Sequence, residues 1–213
     1  MSMTAPDFAH WFTPGAVVPT EDRGDVVFAV REVGEIALPT GRLVACDPIV
    51  HLGDDEERPE SFAVGVPPGR YRVQTAEASF TYPYGHTVNA AARLVVRDVP
   101  AVRWEPALVP GEPAPEDDRF GYGVDAGLGC FLDAAAHHSF PGTADEEGVI
   151  WEVLDGPGSP DAFVAEGENG HGVAVFVSGW GDGLYPTWVG HGADGGPACF
   201  VTDFRPFRFA RVR

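Results

Sequence analysis

Two glycine-flanked aspartate segments hold the residues of this chain best suited to chemistry: G-V-D-A-G-L-G-C-F-L-D at 123–133 and S-G-W-G-D-G-L-Y-P at 178–186. Glycine admits positive φ and the close approach of another group, and aspartate offers a short, stiff carboxylate. With Asp47 and Asp203 from two further segments, the cluster of interest is Asp47, Asp125, Asp133, Asp182 and Asp203. Asp125 and Asp182 are expected to share one site, with Asp47 as its third member. Hard cations take carboxylate and carbonyl oxygens, so Asp125 and Asp182 are candidate ligands for Ca²⁺ or Mg²⁺, although neither segment has EF-hand spacing. Converging carboxylates also repel, which raises a pKa and suits general acid–base work. The competing reading is turn geometry, in which each Asp accepts from nearby backbone N–H groups and Gly follows because the turn requires it.

A second set adds Arg42, Arg70, Tyr71 and Tyr185. Arginine forks could clamp an anionic substrate. Alternatively the tyrosines are half-buried strand residues and the arginines pair with surplus surface acid. Cys46, Cys130 and Cys199 are odd in number and widely spaced, which is no disulfide framework. Zinc binding with His137, His138, His171 or His191 lacks C-x-x-C or H-x₃-H spacing, a Cys130–His nucleophile pair has no further marker, and core packing is the ordinary fate of such cysteines. Ser178-Gly-Trp-Gly is not a G-x-S-x-G elbow.

The balance of 32 acidic against 14 basic residues gives a net charge of −18, which argues against nucleic-acid binding and against an anionic membrane surface. All the basic residues are Arg, which excludes lysine Schiff-base and P-loop mechanisms. Residues 1–9 lack the basic start and apolar run of a signal peptide, and no stretch approaches the ~20 apolar residues of a membrane helix. A cytoplasmic location is expected.

The elements that must position these residues read as strands. Candidates are 26–33, 42–50, 70–80, 88–97, 102–105, 149–154, 173–178, 186–189, 198–204 and 207–212. In 88–97, Val88, Ala90, Ala92, Leu94 and Val96 fall on one face at period two. Pro/Gly/Asp turns separate the runs. Residues 7–12 are long enough for one helical turn or two, and the alanine-rich 131–138 is the best helix candidate. The fold class is therefore mainly β: an antiparallel sandwich or partly open barrel with one short helix after Asp133. Residues 53–61 form an acidic loop. A Pro/acid-rich linker at 106–118 divides an N-terminal β unit (1–105) from a C-terminal one (119–213) that carries both aspartate segments, unless the whole is one domain.

The ordered set 38–48, 67–73, 123–133, 178–186 and 199–204 resembles the bacterial domain-of-unknown-function family numbered 4241. The resemblance implies a bacterial, soluble, intracellular protein but no reaction. Two function classes stay open. One is a protein-binding module of immunity or antitoxin type, favoured by the acidity. The other is an aspartate-dependent hydrolase or lyase, favoured by the glycine-flanked carboxylates and assisted, in one version, by a divalent cation.

Overall fold

In a computed structural model, which describes residues 4–53, 58–117 and 119–212, antiparallel strands dominate. In chain order they are β1 (Val17–Pro19), β2 (Asp25–Leu38), β3 (Leu43–Cys46), β4 (Gly69–Phe80), β5 (His86–Val95), β6 (Arg103–Pro106), β7 (Tyr122–Val124), β8 (Leu128–Asp133), β9 (Ala162–Glu166), β10 (Gly172–Val177), β11 (Gly183–Tyr185), β12 (Thr187–His191) and β13 (Pro197–Asp203). The α-helices are short: α1 (Phe8–Trp11), α2 (Pro48–His51) and α3 (Gly148–Leu154). None among the described residues is long and apolar enough to cross a membrane.

Seven strands form one sheet in the order β1-β2-β4-β5-β13-β12-β6, and four form a second in the order β3-β8-β10-β9. Their facing sides make one core, with Ile36, Leu38, Val73 and Leu94 from the large sheet against Leu43, Phe131 and Phe176 from the small one. The outer face of the large sheet carries Phe28, Phe80 and Val201, covered by Phe8, Trp11 and Phe12 at the N-terminus and by Phe207. The outer face of the small sheet carries Val44, Cys130, Leu132 and Val175 under Leu52 and Ile150. Strands on both sides of residues 106–118 share the large sheet: β13 pairs with β5, and β12 with β6.

Three local expectations are corrected. The best helix candidate, 131–138, is the end of β8 followed by a turn and a 3₁₀ segment at His137–Ser139. Residues 128–132 pair with β10 and 130–133 with β3, which buries every residue of β8, and the alanines 134–136 fall in the turn after it. Conversely, 149–154 is not a strand but α3, the longest α-helix, and its Ile150 packs under the small sheet. Residues 207–212 form turns with one bridge at Val212 rather than a strand.

The single apolar face assigned to 88–97 is also split. The β4–β5 register steps from Ala76↔Ala91 to Glu77↔Asn89, so Ala90 is an extra residue. Such a bulge breaks the period of two. Ala92 and Leu94 therefore face the inter-sheet core, whereas Ala90 and Val88 join the opposite cluster.

The Pro/acid segment is tied down at its start, where the Ala107 amide donates to the Thr187 carbonyl (2.8 Å), and is largely exposed over 110–117. Limited proteolysis with a broad-specificity protease is expected to cut first within 110–117, because exposed, sparsely bonded backbone is the preferred site of nicking. First cuts within 123–133 would contradict this. The acidic loop 53–61 falls partly outside the described residues.

Candidate functional site

The two aspartate segments meet. β7 and β11 pair as a two-stranded ribbon with Gly183 opposite Val124 and Tyr185 opposite Tyr122. Beyond the Gly183–Val124 pair, Asp182 and Asp125 leave the ribbon at the same end. Ser178 clamps the junction: its hydroxyl donates to the Gly127 and Gly181 carbonyls (2.9 and 2.7 Å), and its amide also donates to Gly127 (2.9 Å). Gly179 is required there, since its φ is +70° and a Cβ would lie 2.6 Å from the Asn89 carbonyl oxygen. Trp180 anchors the segment by donating to the Pro206 carbonyl and packing on Phe80 and Phe209.

The five aspartates divide into two kinds. Asp47 is fully buried. One of its oxygens caps α2 through the Ile49 amide (3.0 Å), and the other accepts from the amides of Asp125 and Ala126 (2.9 and 2.8 Å). It does reach the 123–133 segment, as expected of a third member, but as an acceptor spent on backbone. Asp133, also fully buried, accepts from the Thr40 amide and hydroxyl and from the Ala135 amide. Asp203 is nearly buried, and burial pushes its carboxyl up to about 6 although the Arg205 amide donates to it (2.6 Å). Asp125 and Asp182 are exposed, and neither carboxylate has a hydrogen-bond or ion-pair partner among the described residues. No group of three or more His, Cys, Asp or Glu suited to a metal occurs among the described residues, so these two stand without a third protein ligand there.

The tyrosines and arginines stand apart from the two exposed aspartates in their bonding. Tyr185 is buried and donates to the Gly181 carbonyl (2.7 Å); Tyr71 is buried and donates to the Pro67 carbonyl. Burial raises the pKa of both. Arg70 makes an exposed 3.5 Å ion pair with Glu35, worth little in water. Arg42 lies on the rim of an open cleft with Arg58 and Glu60. Cys46 and Cys130 face each other across β3 and β8 with sulfurs 3.5 Å apart, and their mutual hydrogen bond and burial hold the Cys46 thiol well above the usual range.

A second polar site, away from the aspartates, went unread in the sequence. On the outer face of the large sheet, Arg72 and Gln74 of β4 lie beside Arg93 of β5, facing Trp104 of β6 and Phe8 of α1 across a cleft of about 330 Å³. The alternation Arg72-x-Gln74 was the available signal, but the cross-strand partner Arg93 depends on a register that one strand does not encode.

A family model described as protein of unknown function (DUF4241) matches residues 36–202. No curated protein and no solved structure matches the chain.

Proposed function

The chain belongs to the DUF4241 family, and we propose that it is a protein-binding module, of the kind an immunity or antitoxin protein represents, whose β7–β11 ribbon docks a basic protein partner in the cytoplasm. The observation that carries this reading is the division of the signature carboxylates. Asp47 and Asp133 are consumed in building the scaffold, whereas Asp125 and Asp182 leave one end of the ribbon bare and exposed. Leu184, between them and Tyr185, is 40% exposed and adds an apolar contact. A net charge of −18 steers a basic partner toward any such surface.

Carbodiimide cross-linking tests this directly, because it joins carboxylates to lysines and this chain has no lysine of its own. Applied to cells of the source organism, it is expected to link Asp125 or Asp182 to one basic protein. The purified pair should bind more weakly as salt rises. Asp125→Lys combined with Asp182→Lys should weaken it by roughly 100-fold or more through like-charge contact, with the unfolding midpoint unchanged. Cross-links confined to other surfaces, or a partner that holds the double variant as tightly as the native protein, would overturn the proposal. The alternative, a hydrolase or lyase, draws on one observation: the Asp203 carboxyl near pKa 6 has the acidity of a general acid–base group.

A further inference from the structure

Arg93 is a cation without an anion. Its side chain lies in the floor of the cleft between α1, β6 and the outer face of the large sheet. No carboxylate lies within ion-pair distance of it among the described residues. Its polar partner is the neutral Gln74, whose side-chain oxygen accepts from Nε (3.0 Å) and from Nη2. That oxygen is held in place because the Gln74 amide donates to Glu32. The guanidinium carbon lies over Phe12, 4.0 Å from the ring centre. Burial lowers the pKa of Arg93, Arg72 lowers it further, and Glu32 and Asp98 push the other way. A guanidinium has five N–H donors. Two are spent on Gln74, and the remaining edge is free to face the cleft.

The neighbouring arginines differ from it. Arg97 is spent structurally: it grips Asp194 with two bonds (2.6 and 2.9 Å) and also donates to the carbonyls of Pro197 and Gly196. Arg72 is half exposed and only loosely balanced, at 3.6 Å from Glu32 and 3.7 Å from Asp98. The site therefore offers one fixed fork and one mobile guanidinium. Opposite them the wall is apolar, with Phe8, Trp104 and Ala101, while Val95 lies beside Arg72 in the floor. That wall is built closely. Gly190 has no side chain because a Cβ there would lie 2.8 Å from both Ala101 and Trp104.

From this juxtaposition we infer that the cleft binds a small organic carboxylate with an apolar, preferably aromatic, body. A planar fork matches a carboxylate bidentately. Arg93 has no ion-pair partner of its own among the described residues, which fits a single carboxylate, and the carboxylates of Glu32 and Asp98 nearby disfavour a dianion. Trp104, half-buried, supplies a face for a ring, and Phe8 backs it at a ring-centre distance of 4.8 Å. A volume of about 330 Å³ lies at the small end of ligand pockets, which suits a single ring with its acid group. The site is independent of the β7–β11 ribbon.

Benzoate is the probe, with benzamide as its neutral isostere and inorganic phosphate as the competing anion, all followed by titration calorimetry. Benzoate is expected to bind saturably at one site per chain, benzamide at least about tenfold more weakly because the charge-assisted pair is lost, and phosphate not to displace it. Arg93→Gln should weaken benzoate at least about tenfold while leaving the unfolding midpoint largely unchanged, since the cation removed is half-buried and has no ion-pair partner among the described residues. Ala9→Trp places a bulky side chain at the exposed mouth of the cleft without touching the core, so it should block binding even if Arg93→Gln fails to fold. No saturation by about 10 mM, an affinity too weak for a built site, would overturn the inference. So would equal binding of benzamide, displacement by phosphate, or full affinity in Ala9→Trp.

Discussion

Asp47→Asn is expected to lower the stability of the fold by roughly 3 kcal/mol, because a buried carboxylate that accepts three backbone amides is replaced by a group that must turn a donor toward at least one of them. The three amides belong to Ile49, Asp125 and Ala126, so one side chain caps α2 and fastens the 123–133 segment to β3. The cap alone is typically worth ~1 kcal/mol, and each buried amide left without an acceptor costs ~1–3 kcal/mol. Asp133→Asn should behave alike. It holds Thr40, ahead of β3, against Ala135, just after β8. The two aspartates thus fasten opposite ends of the same strand pair, since Leu43 sits opposite Asp133 and Cys46 opposite Cys130. Lying at opposite ends and sharing no partner, they should add. Asp125→Asn and Asp182→Asn remove exposed charges with no partner among the described residues and should leave denaturant midpoints where they are. Urea unfolding of the four single variants checks this. A loss at Asp125 as large as at Asp47, or none at Asp47, would mean that the buried acceptors do not carry the scaffold.

That contrast also shows what the sequence could and could not disclose. The apolar runs between turn signals were legible as strands: 26–33, 70–80, 173–178 and 198–204 all lie within or largely overlap observed strands. The strand pairing that sets the two aspartate segments side by side in the β7–β11 ribbon, and the roles of the residues within them, were not legible. Whether an aspartate followed by small residues points inward or outward is set by the strand pairing around it. Asp47 follows four buried residues of β3 and turns into the fold, while Asp125 follows the last residue of a three-residue ribbon strand and turns out. Residues 131–138 misled for a related reason: alanines carry a helical preference of a few tenths of a kcal/mol each, whereas the pairing of β8 with both β3 and β10 is a tertiary gain that no local window contains. The alanines themselves fall after the strand, in the turn that Asp133 caps through Ala135. Arg93 escaped notice because its distinguishing property, a guanidinium facing a neutral amide across two strands, exists only once β4 and β5 are in register.

Asp203→Asn is expected to do the reverse of Asp47→Asn and stabilise the protein at neutral pH. Asp203 ends β13, nearly buried, and accepts from the amide of Arg205. Asp47 has three donors facing it, whereas here burial outweighs what the Arg205 amide and guanidinium return, and the carboxyl sits at about 6 rather than 3.8. The sign follows from that ordering. The folded state binds the proton more tightly than the unfolded chain, so ionisation costs stability. The cost grows as pH rises from about 4 to about 6, is fully present above that, and vanishes below the unfolded value. A shift of this size corresponds to roughly 2–3 kcal/mol at pH 7.5. Relief of self-repulsion among 32 acidic residues also changes stability over this range, so the informative quantity is the difference between variant and native protein at each pH. That difference should favour Asn by roughly 2 kcal/mol at pH 7.5 and close to nothing at pH 4, since Asn still accepts from Arg205 but carries no charge. Thermal or urea unfolding at half-unit steps from pH 4 to 8 reads it out. Should Asn instead be destabilising by the same amount at every pH, Asp203 would be another spent acceptor like Asp47. Its carboxyl would then not be the strained, proton-holding group on which the catalytic alternative depends.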